Sequence, residues 1–326
     1  MKKTLVAFAA MAAVTGAMAD VTIFGIVDNA YNIKTLTTAG PGLTASSQKT
    51  TAVSGTYTGS ELGFKGSEDL GGGLSANFQI HFAPSTDAAA APTGYQSHVG
   101  LNGGFGSLKV GQFFSPMFFN NATYDASGYS AFGFNEGAVN GASAGLISNS
   151  VQYDLPTFVP GLGVSYMIAK GEVARPATTT TALKDISNIR LTYATGALST
   201  GYSSASVKGA DGASTKQSST GLSYDLGMAK LMYYATTSKA TTASVSDKGS
   251  NFGVSVPVGQ ATIGYTSSSA KTGATQVASS ASILQVKYDL SKRSSLILQN
   301  GSAKIKSGAF NGSSSKGTSL GLWHSF

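Results

Sequence analysis

The chain contains no cysteine, and only 11% of its 326 residues are charged. Without cysteine, disulfides cannot close the fold, and so little charge is unlike a disordered tail. Long helical periods are also missing after the N-terminal segment, which argues against a helical membrane protein and a large soluble enzyme. What is abundant is glycine, with 41 residues, together with serine and threonine. The lack of any break in composition favours a single domain.

The N-terminal segment has the pattern of an export signal. Two lysines precede an apolar run over 5–14, and residues 17–19 read Ala-Met-Ala, the small-x-small pattern that signal peptidase accepts. The sequence therefore predicts a signal peptide over 1–19 and a mature chain, 20–326, that starts at Asp20. The run is too short to span a bilayer. The alternative is a buried N-terminal helix.

A glycine-rich hairpin over 59–82 is the unit that recurs along the chain. Leu62 and Phe64 alternate with polar residues on its first arm, and Phe78 and Ile80 do so on its second arm. Alternation with a period of two is typical of a strand with two unlike faces. Glycines between the arms supply the positive φ angles that a tight turn needs.

Repetition of this unit predicts an all-β chain of sixteen strands. Short turns alternate with long polar loops, among them residues 32–57 and 84–94, as in a barrel with two different rims. Within strand four, Tyr95 and Val99 are assigned to one face and His98 to the other. Because backbone groups in lipid must all be paired, an alternating sheet in a membrane has to close. We therefore expect a transmembrane antiparallel β-barrel.

The end of the chain separates this barrel from a secreted β-sandwich or β-helix, which would show the same strand period. Leu320, Leu322, His324 and Phe326 share one face, and the chain ends on an aromatic residue. A soluble domain has no reason to finish in this way, so the pattern favours the barrel. His324 is interpreted as a residue of the interfacial girdle.

The longest interruption, residues 115–146, is unusual for a loop. It carries six phenylalanine and tyrosine residues but only two charged residues, Asp125 and Glu136. A loop of about 30 residues is usually functional or disordered, and the aromatic content predicts that this one packs against something. A flexible surface loop is the alternative.

Five stretches stand out in order along the chain: VTIFGIVD at 21–28, SELGFKGSEDLGGGL at 60–74, FGSLKVGQ at 105–112, YDLSKRSSL at 288–296 and the terminal GLWHSF. Together they resemble the trimeric Gram-negative porins of the betaproteobacterial type. The resemblance implies a sixteen-stranded barrel, a homotrimer and passive diffusion of small hydrophilic solutes and ions across the cell outer membrane. It also implies that the third loop folds inward at 115–146, and that Phe326 is the signal read by the outer-membrane assembly machinery.

The departures from the family pattern concern the pore charges. Relatives with a strong arginine cluster carry arginines at positions that correspond here to Glu61, Gln112 and Ser148. Lys65 keeps the basic place within the motif. The acidic loop motif of enterobacterial relatives is reduced to Glu136, with Asp125 nearby. The resemblance therefore predicts the scaffold more firmly than the selectivity.

Strand alternation assigns further side chains to the pore. If apolar neighbours such as Val110, Leu191 and Leu231 face lipid, the intervening charged residues face inward, since a charge on the lipid face costs about 2–4 kcal/mol near the midplane. The predicted lining and constriction residues are Glu61, Lys65, His98, Lys109, Gln112, Asp125, Glu136, Ser148, Arg190, Lys230 and Lys287. This wall is more basic than acidic, which predicts a weak anion preference.

Other functions find little support in the sequence. Serine is too common for a serine near His81 or His98 to indicate a catalytic pair, and we assign no catalytic residue, cofactor, metal ligand or nucleic-acid partner. Two alternatives remain: a substrate-specific channel, and a barrel whose surface loops serve adhesion or phage binding.

Overall fold

The structure, a computed structural model, describes residues 20–41, 46–130, 132, 134–135, 137–139, 145–171, 185–209 and 213–326. Its strands are β1 (Asp20–Thr38), β2 (Ser46–Ser54), β3 (Glu61–Gly71), β4 (Leu74–Ala83), β5 (Thr93–Gly103), β6 (Gly106–Phe114), β7 (Leu146–Asp154), β8 (Leu162–Ala169), β9 (Asp185–Thr195), β10 (Leu198–Lys208), β11 (Ser214–Asp225), β12 (Lys230–Ala240), β13 (Asp247–Val258), β14 (Ala261–Thr272), β15 (Val277–Asp289), β16 (Ser294–Ile305) and β17 (Ser314–Ser325). A helix, α1 (Pro116–Thr123), follows β6. No helix within these ranges is long and apolar enough to cross a bilayer. The predicted signal peptide lies outside the described residues.

The strands form one closed antiparallel barrel. Each strand pairs with its neighbours in sequence order, and β1 pairs with β17 from Ile26 opposite Ser325 to Thr37 opposite Ser314. On its other side, β1 pairs with both β2 and β3, at residues 30–38 and 20–26 respectively. Segments β2 and β3 therefore share one position in the barrel, and seventeen segments make sixteen strands. The predicted strand number is confirmed.

One sequence prediction about this region is wrong. Residues 32–57 were expected to be a long polar loop, but β1 continues to Thr38 and β2 covers Ser46–Ser54. The segment is rich in glycine, threonine and serine, so it lacks the apolar alternation that identifies the other strands. Pairing on both sides of β1 stabilises these strands instead.

Side chains alternate between an apolar outer face and a polar interior. Val21 and Ile23 on β1 are each 59% exposed, and Val99 on β5 is 60% exposed. Asn188, Ser203 and other polar residues are buried inside. This is the reverse of a soluble barrel and is the arrangement expected in lipid.

The break between β2 and β3, residues 55–60, turns into the barrel. Asp28 Oδ2 accepts hydrogen bonds from the backbone N–H groups of Tyr57, Thr58 and Gly59, each 2.9 Å long. The carbonyl oxygen of Thr56 accepts a 2.7 Å hydrogen bond from Ser130 Oγ in the third long loop. We call residues 55–60 the inward segment. It connects the wall of the barrel to the loop inside.

The described residues of the third long loop, which begins at Ser115, follow the inner wall, as predicted. Ser115 caps α1 by accepting a hydrogen bond from Phe118 N, and the helix packs against β8–β11. Its buried side includes Asn120, whose Nδ2 donates to Ser219 Oγ at 3.0 Å. Tyr124, just after the helix, is fully buried. The aromatic content of the loop therefore does serve packing.

Glycines on the inner wall make room for this loop. A Cβ at Gly221 would lie 1.9 Å from Cδ2 of Tyr124, and one at Gly301 would lie 2.3 Å from Cδ2 of Phe134. Both distances are far below a van der Waals contact, so only glycine fits with the loop in this position. The wall and the loop are thus complementary in shape.

We predict that Gly221→Ala destabilises the docked loop. The added methyl group overlaps Tyr124, and overpacking of this kind costs about 1–3 kcal/mol. Thermal unfolding in detergent should occur at a lower temperature, while Gly104→Ala, with open space around its Cβ position, should leave it unchanged. Recovery of stability in the Gly221→Ala, Tyr124→Ala double variant would identify the overlap; equal melting of Gly221→Ala and wild type contradicts the docking.

We also predict that Asp28→Ala releases the inward segment. Three backbone N–H groups lose a part-buried acceptor, and a typical hydrogen bond contributes about 0.5–1.5 kcal/mol. Limited proteolysis of the folded protein should then cut within 55–60. Asp69→Ala, which removes an acceptor for one backbone N–H at an exposed turn, is the control and should leave 55–60 protected. Equal protection of the segment in Asp28→Ala would show that it is held by other contacts.

Candidate functional site

The first predicted charges lie together on the interior face of β3. Gly63 sits between Glu61 and Lys65, and a Cβ at Gly63 would overlap the rings of His81 and Phe24. Glu61 Oε2 is 3.8 Å from Nδ1 of His81, and Lys65 Nζ is 5.1 Å from the Phe24 ring centroid. An acid, a base and two rings therefore meet at this part of the wall.

A β-bulge brings Tyr95 to the same place. Ser97 lies opposite Ile80 and Gly94 opposite Phe82, so two residues of β5, Tyr95 and Gln96, face one residue of β4. The Tyr95 ring stacks against His81, with centroids 6.1 Å apart and planes at 27°. The assignment of Tyr95 to the Val99 face is therefore wrong, because alternation does not continue through a bulge.

Gln112 and Ser148, two of the positions where relatives carry arginine, are in contact. Ser148 Oγ donates to Gln112 Oε1 at 2.6 Å, and Gln112 Nε2 donates to the backbone oxygen of Tyr95 at 2.5 Å. The register shifts next to them, between Gly111 and Phe113, and Gly111 has a φ of 147°. Neutral hydrogen-bonded side chains thus occupy these two positions.

Lys109 and His98 flank a ring on the neighbouring strands. Lys109 Nζ lies 4.6 Å from the centroid of Phe113, and the His98 ring meets the same phenylalanine edge-on at 6.1 Å. Phe113 itself packs with Met167 and Val207 inside the barrel. The ammonium group of Lys109 therefore lies against an apolar surface, where a cation–π contact favours it.

Arg190 contacts the end of α1. Its guanidinium Nη2 donates to Thr123 Oγ1, in the last turn of the helix, at 3.0 Å. A cation near a helix C-terminus is favourable because it balances the partial negative charge of the last carbonyl groups. Arg190 thus has a positioning role for the loop that sequence analysis did not predict.

Lys230 and Lys287 lie towards the rim with short turns. Lys230 is the first residue of β12 and pairs in register with Asp225. Lys287 forms an ion pair with Asp289, whose carboxylate also accepts a hydrogen bond from Ser295 Oγ. The charge of Lys287 is therefore largely balanced within the wall.

Of the two acidic residues in the third loop, the structure describes the surroundings of Asp125. Asp125 is 3% exposed and accepts hydrogen bonds from Ser127 and from Asn135 Nδ2, the latter at 2.6 Å. Burial raises the pKa of Asp125, and these hydrogen bonds act in the opposite direction. The expectation that Asp125 presents a charge to the pore is wrong; its burial and bonds make it an anchor of the loop. Glu136 lies outside the described residues.

Sequence analysis missed one further charged contact. Lys34 Nζ donates to the backbone oxygen of Phe132 at 3.0 Å and lies 4.7 Å from the centroid of that ring. Lys34 lies in the segment that the sequence predicts to be a loop, where no face can be assigned to a side chain. Side chains alternate along the full length of β1, so Lys34 lies on the interior face together with Asp28 and Asn32.

Comparison with known proteins agrees with this architecture. A family model described as Gram-negative porin matches residues 6–306. Outer membrane porin protein 32 of Delftia acidovorans is 35% identical over 246 residues, 71% of this chain and 68% of the relative. The major outer membrane protein P.IB of Neisseria gonorrhoeae is 35% identical over 162 residues, 48% of this chain and 45% of the relative. The chain thus spans about half the length of the Neisseria relatives that it matches.

Among solved structures, the anion-selective porin from Comamonas acidovorans superposes with a TM-score of 0.79. It is 26% identical, and the match covers 95% of this chain and all of that chain. The family match also argues against a catalytic function for the barrel, because the porin family is a family of passive channels and not of enzymes. With the closed barrel, the inward loop and a family model that matches most of its length, the chain belongs to the Gram-negative porins of the bacterial outer membrane.

Proposed function

We propose that the chain forms a water-filled channel for passive diffusion of ions and small hydrophilic solutes across the outer membrane. The observation that carries this proposal is the closed barrel with a polar interior, whose third loop is bound along the inner wall. Signal-peptide removal before Asp20 and assembly as a homotrimer in outer-membrane lipid are part of the proposal. They rest on the N-terminal pattern and the family resemblance.

The channel prefers anions weakly. Lys65, Lys109 and Lys230 provide positive charge, while Glu61 stands where arginine would strengthen the preference. Lys287 adds little because of its ion pair with Asp289. The superposed Comamonas porin is described as anion-selective, which supports the direction.

Planar-bilayer recording in a salt gradient tests both parts. We expect large steady conductance steps and a reversal potential that indicates weak anion preference. Glu61→Lys should raise the anion-to-cation permeability ratio by up to about fivefold, since a charge contact in water is worth about 1 kcal/mol. Glu68→Gln, on the opposite face of β3 by alternation, is the control and should change little.

Two results would contradict the proposal. Absence of conductance steps from correctly folded protein would remove the channel and favour a surface-binding barrel. Cation preference in the wild type, or no change in Glu61→Lys, would remove the selectivity while leaving the channel.

Phe326 acts as the assembly signal. Its backbone forms two hydrogen bonds with Gly25, which Phe326→Ala retains, and its ring lies on the outer face. We expect Phe326→Ala to lower the amount of protein in the outer membrane of cells, while the same variant refolded in detergent melts like wild type. Leu322→Ala, on the same outer face, is the matched control. Equal losses in the two variants would show that only apolar area matters.

A further inference from the structure

A continuous series of rings connects the barrel wall to the third loop. Neighbouring centroids lie 4.1–6.1 Å apart, within the range of aromatic pairs. We call this series the aromatic run; in order it comprises Phe24, His81, Tyr95, Phe114, Phe118 and Tyr129. It joins strands β1, β4, β5 and β6 to α1 and to the loop that follows.

The run lies inside the barrel and keeps part of its surface accessible. On α1, Met117, Asn120 and Asn121 are buried against the wall, so Phe118 and Phe119 point away from it. Phe119 is 40% exposed and meets Phe114 and Phe118 edge-on. Phe24, Tyr95, Phe114, Phe118 and Tyr129 are half-buried. Apolar ring surface exposed along a polar interior is unusual and indicates a binding surface.

Ionic groups are found at one end of the run. Lys65 Nζ lies 5.1 Å from the Phe24 centroid, and Lys65 is exposed. Glu61 is less exposed and lies against His81. Beyond Tyr95 the run continues through Phe114 and Phe118, stacked rings whose planes differ by 17°, and ends at Tyr129. The site therefore has a cationic end and an apolar, planar end.

We propose that the aromatic run is a binding site for small aromatic carboxylates. The ligand ring packs against the accessible ring surface at Phe114 and Phe118. Its carboxylate is directed along the run toward Lys65, at the other end. The proposal rests on the channel function proposed above, because the ligand has to enter the barrel interior. It assigns the pore a class of solute that it retains transiently.

The charges favour this ligand over the other small molecules that bind to rings. An aromatic cation would have to approach Glu61 past the exposed ammonium of Lys65. A sugar carries hydroxyl groups around its whole edge, and phenylalanine rings at the apolar end cannot accept or donate ordinary hydrogen bonds. One planar apolar part and one anionic group match the two ends of the run.

Benzoate is the probe, used in two measurements on the full-length mature protein. Ligand-observed NMR of the detergent-solubilised protein gives its affinity without conduction, and bilayer recording gives the benzoate concentration that half-blocks chloride current. Phe118→Leu keeps the apolar volume and a good helix former but removes the ring. Phe252→Leu, on the outer face of β13, is the matched control.

We expect Phe118→Leu to raise the half-saturating benzoate concentration about two- to tenfold. This factor corresponds to the free energy of one aromatic pair between the ligand ring and Phe118. Lys65→Gln should raise it by about one and a half- to fivefold, as for an exposed ion pair. Phe252→Leu should match the wild type, acetate and benzylamine should bind more weakly than benzoate, and glucose should not displace it.

Unchanged benzoate affinity in Phe118→Leu, or displacement by glucose at similar concentrations, would overturn the proposal. Failure of the channel gives a different result: no conductance steps, while the NMR affinities still report on the site. Steps without saturable benzoate block, and without benzoate binding by NMR, would overturn the binding site alone.

Discussion

Backbone hydrogen bonding at the seam between β1 and β17 is the constraint on which the structure depends. In lipid an unpaired strand edge has no water to bond to, so the sheet has to close on itself. Twelve residue pairs from Ile26–Ser325 to Thr37–Ser314 form this seam, and Phe326 extends it through two hydrogen bonds with Gly25. Because every pair is antiparallel, including the β1–β17 seam, closure makes the strand number even and brings the start of β1 and the end of β17 to one rim. It also separates an apolar outside from a polar inside.

A polar interior requires a different kind of packing from a soluble core. The third loop is held by hydrogen bonds such as Asn120–Ser219 and by close approach to glycine positions such as Gly221. Small apolar clusters, Phe132 and Phe134 with Ile283 and Met117 with Ala205, support it locally. The described residues of the loop therefore have a fixed position although the buried apolar residues described around them form separate small clusters, and the shape of the passage follows from this position.

The sequence predicted the strands whose outer residues are apolar, since period two is visible there, as in Leu62 and Phe64. The sequence did not predict the strand Ser46–Ser54. Its many threonine and serine residues give no alternation of apolar and polar side chains, and the strand is stabilised by its pairing with β1. Alternation also assigned Glu61, Lys65 and Lys109 to the interior side. It could not predict the partners of these residues. The bulge that turns Tyr95 and the burial of Asp125 depend on register and on contacts between distant parts of the chain.

The inward segment has a consequence for the order of folding. Thr56 contacts Ser130 and Ser319, residues 74 and 263 positions away in sequence. Contacts of such separation form late, because chain entropy has to be lost before they contribute. The hydrogen bond between Thr56 Oγ1 and Ser319 Oγ joins the inward segment to β17, the strand that closes the barrel against β1. We therefore expect the third loop to be fixed only after the barrel has closed, so that the passage acquires its final cross-section in the last step of folding.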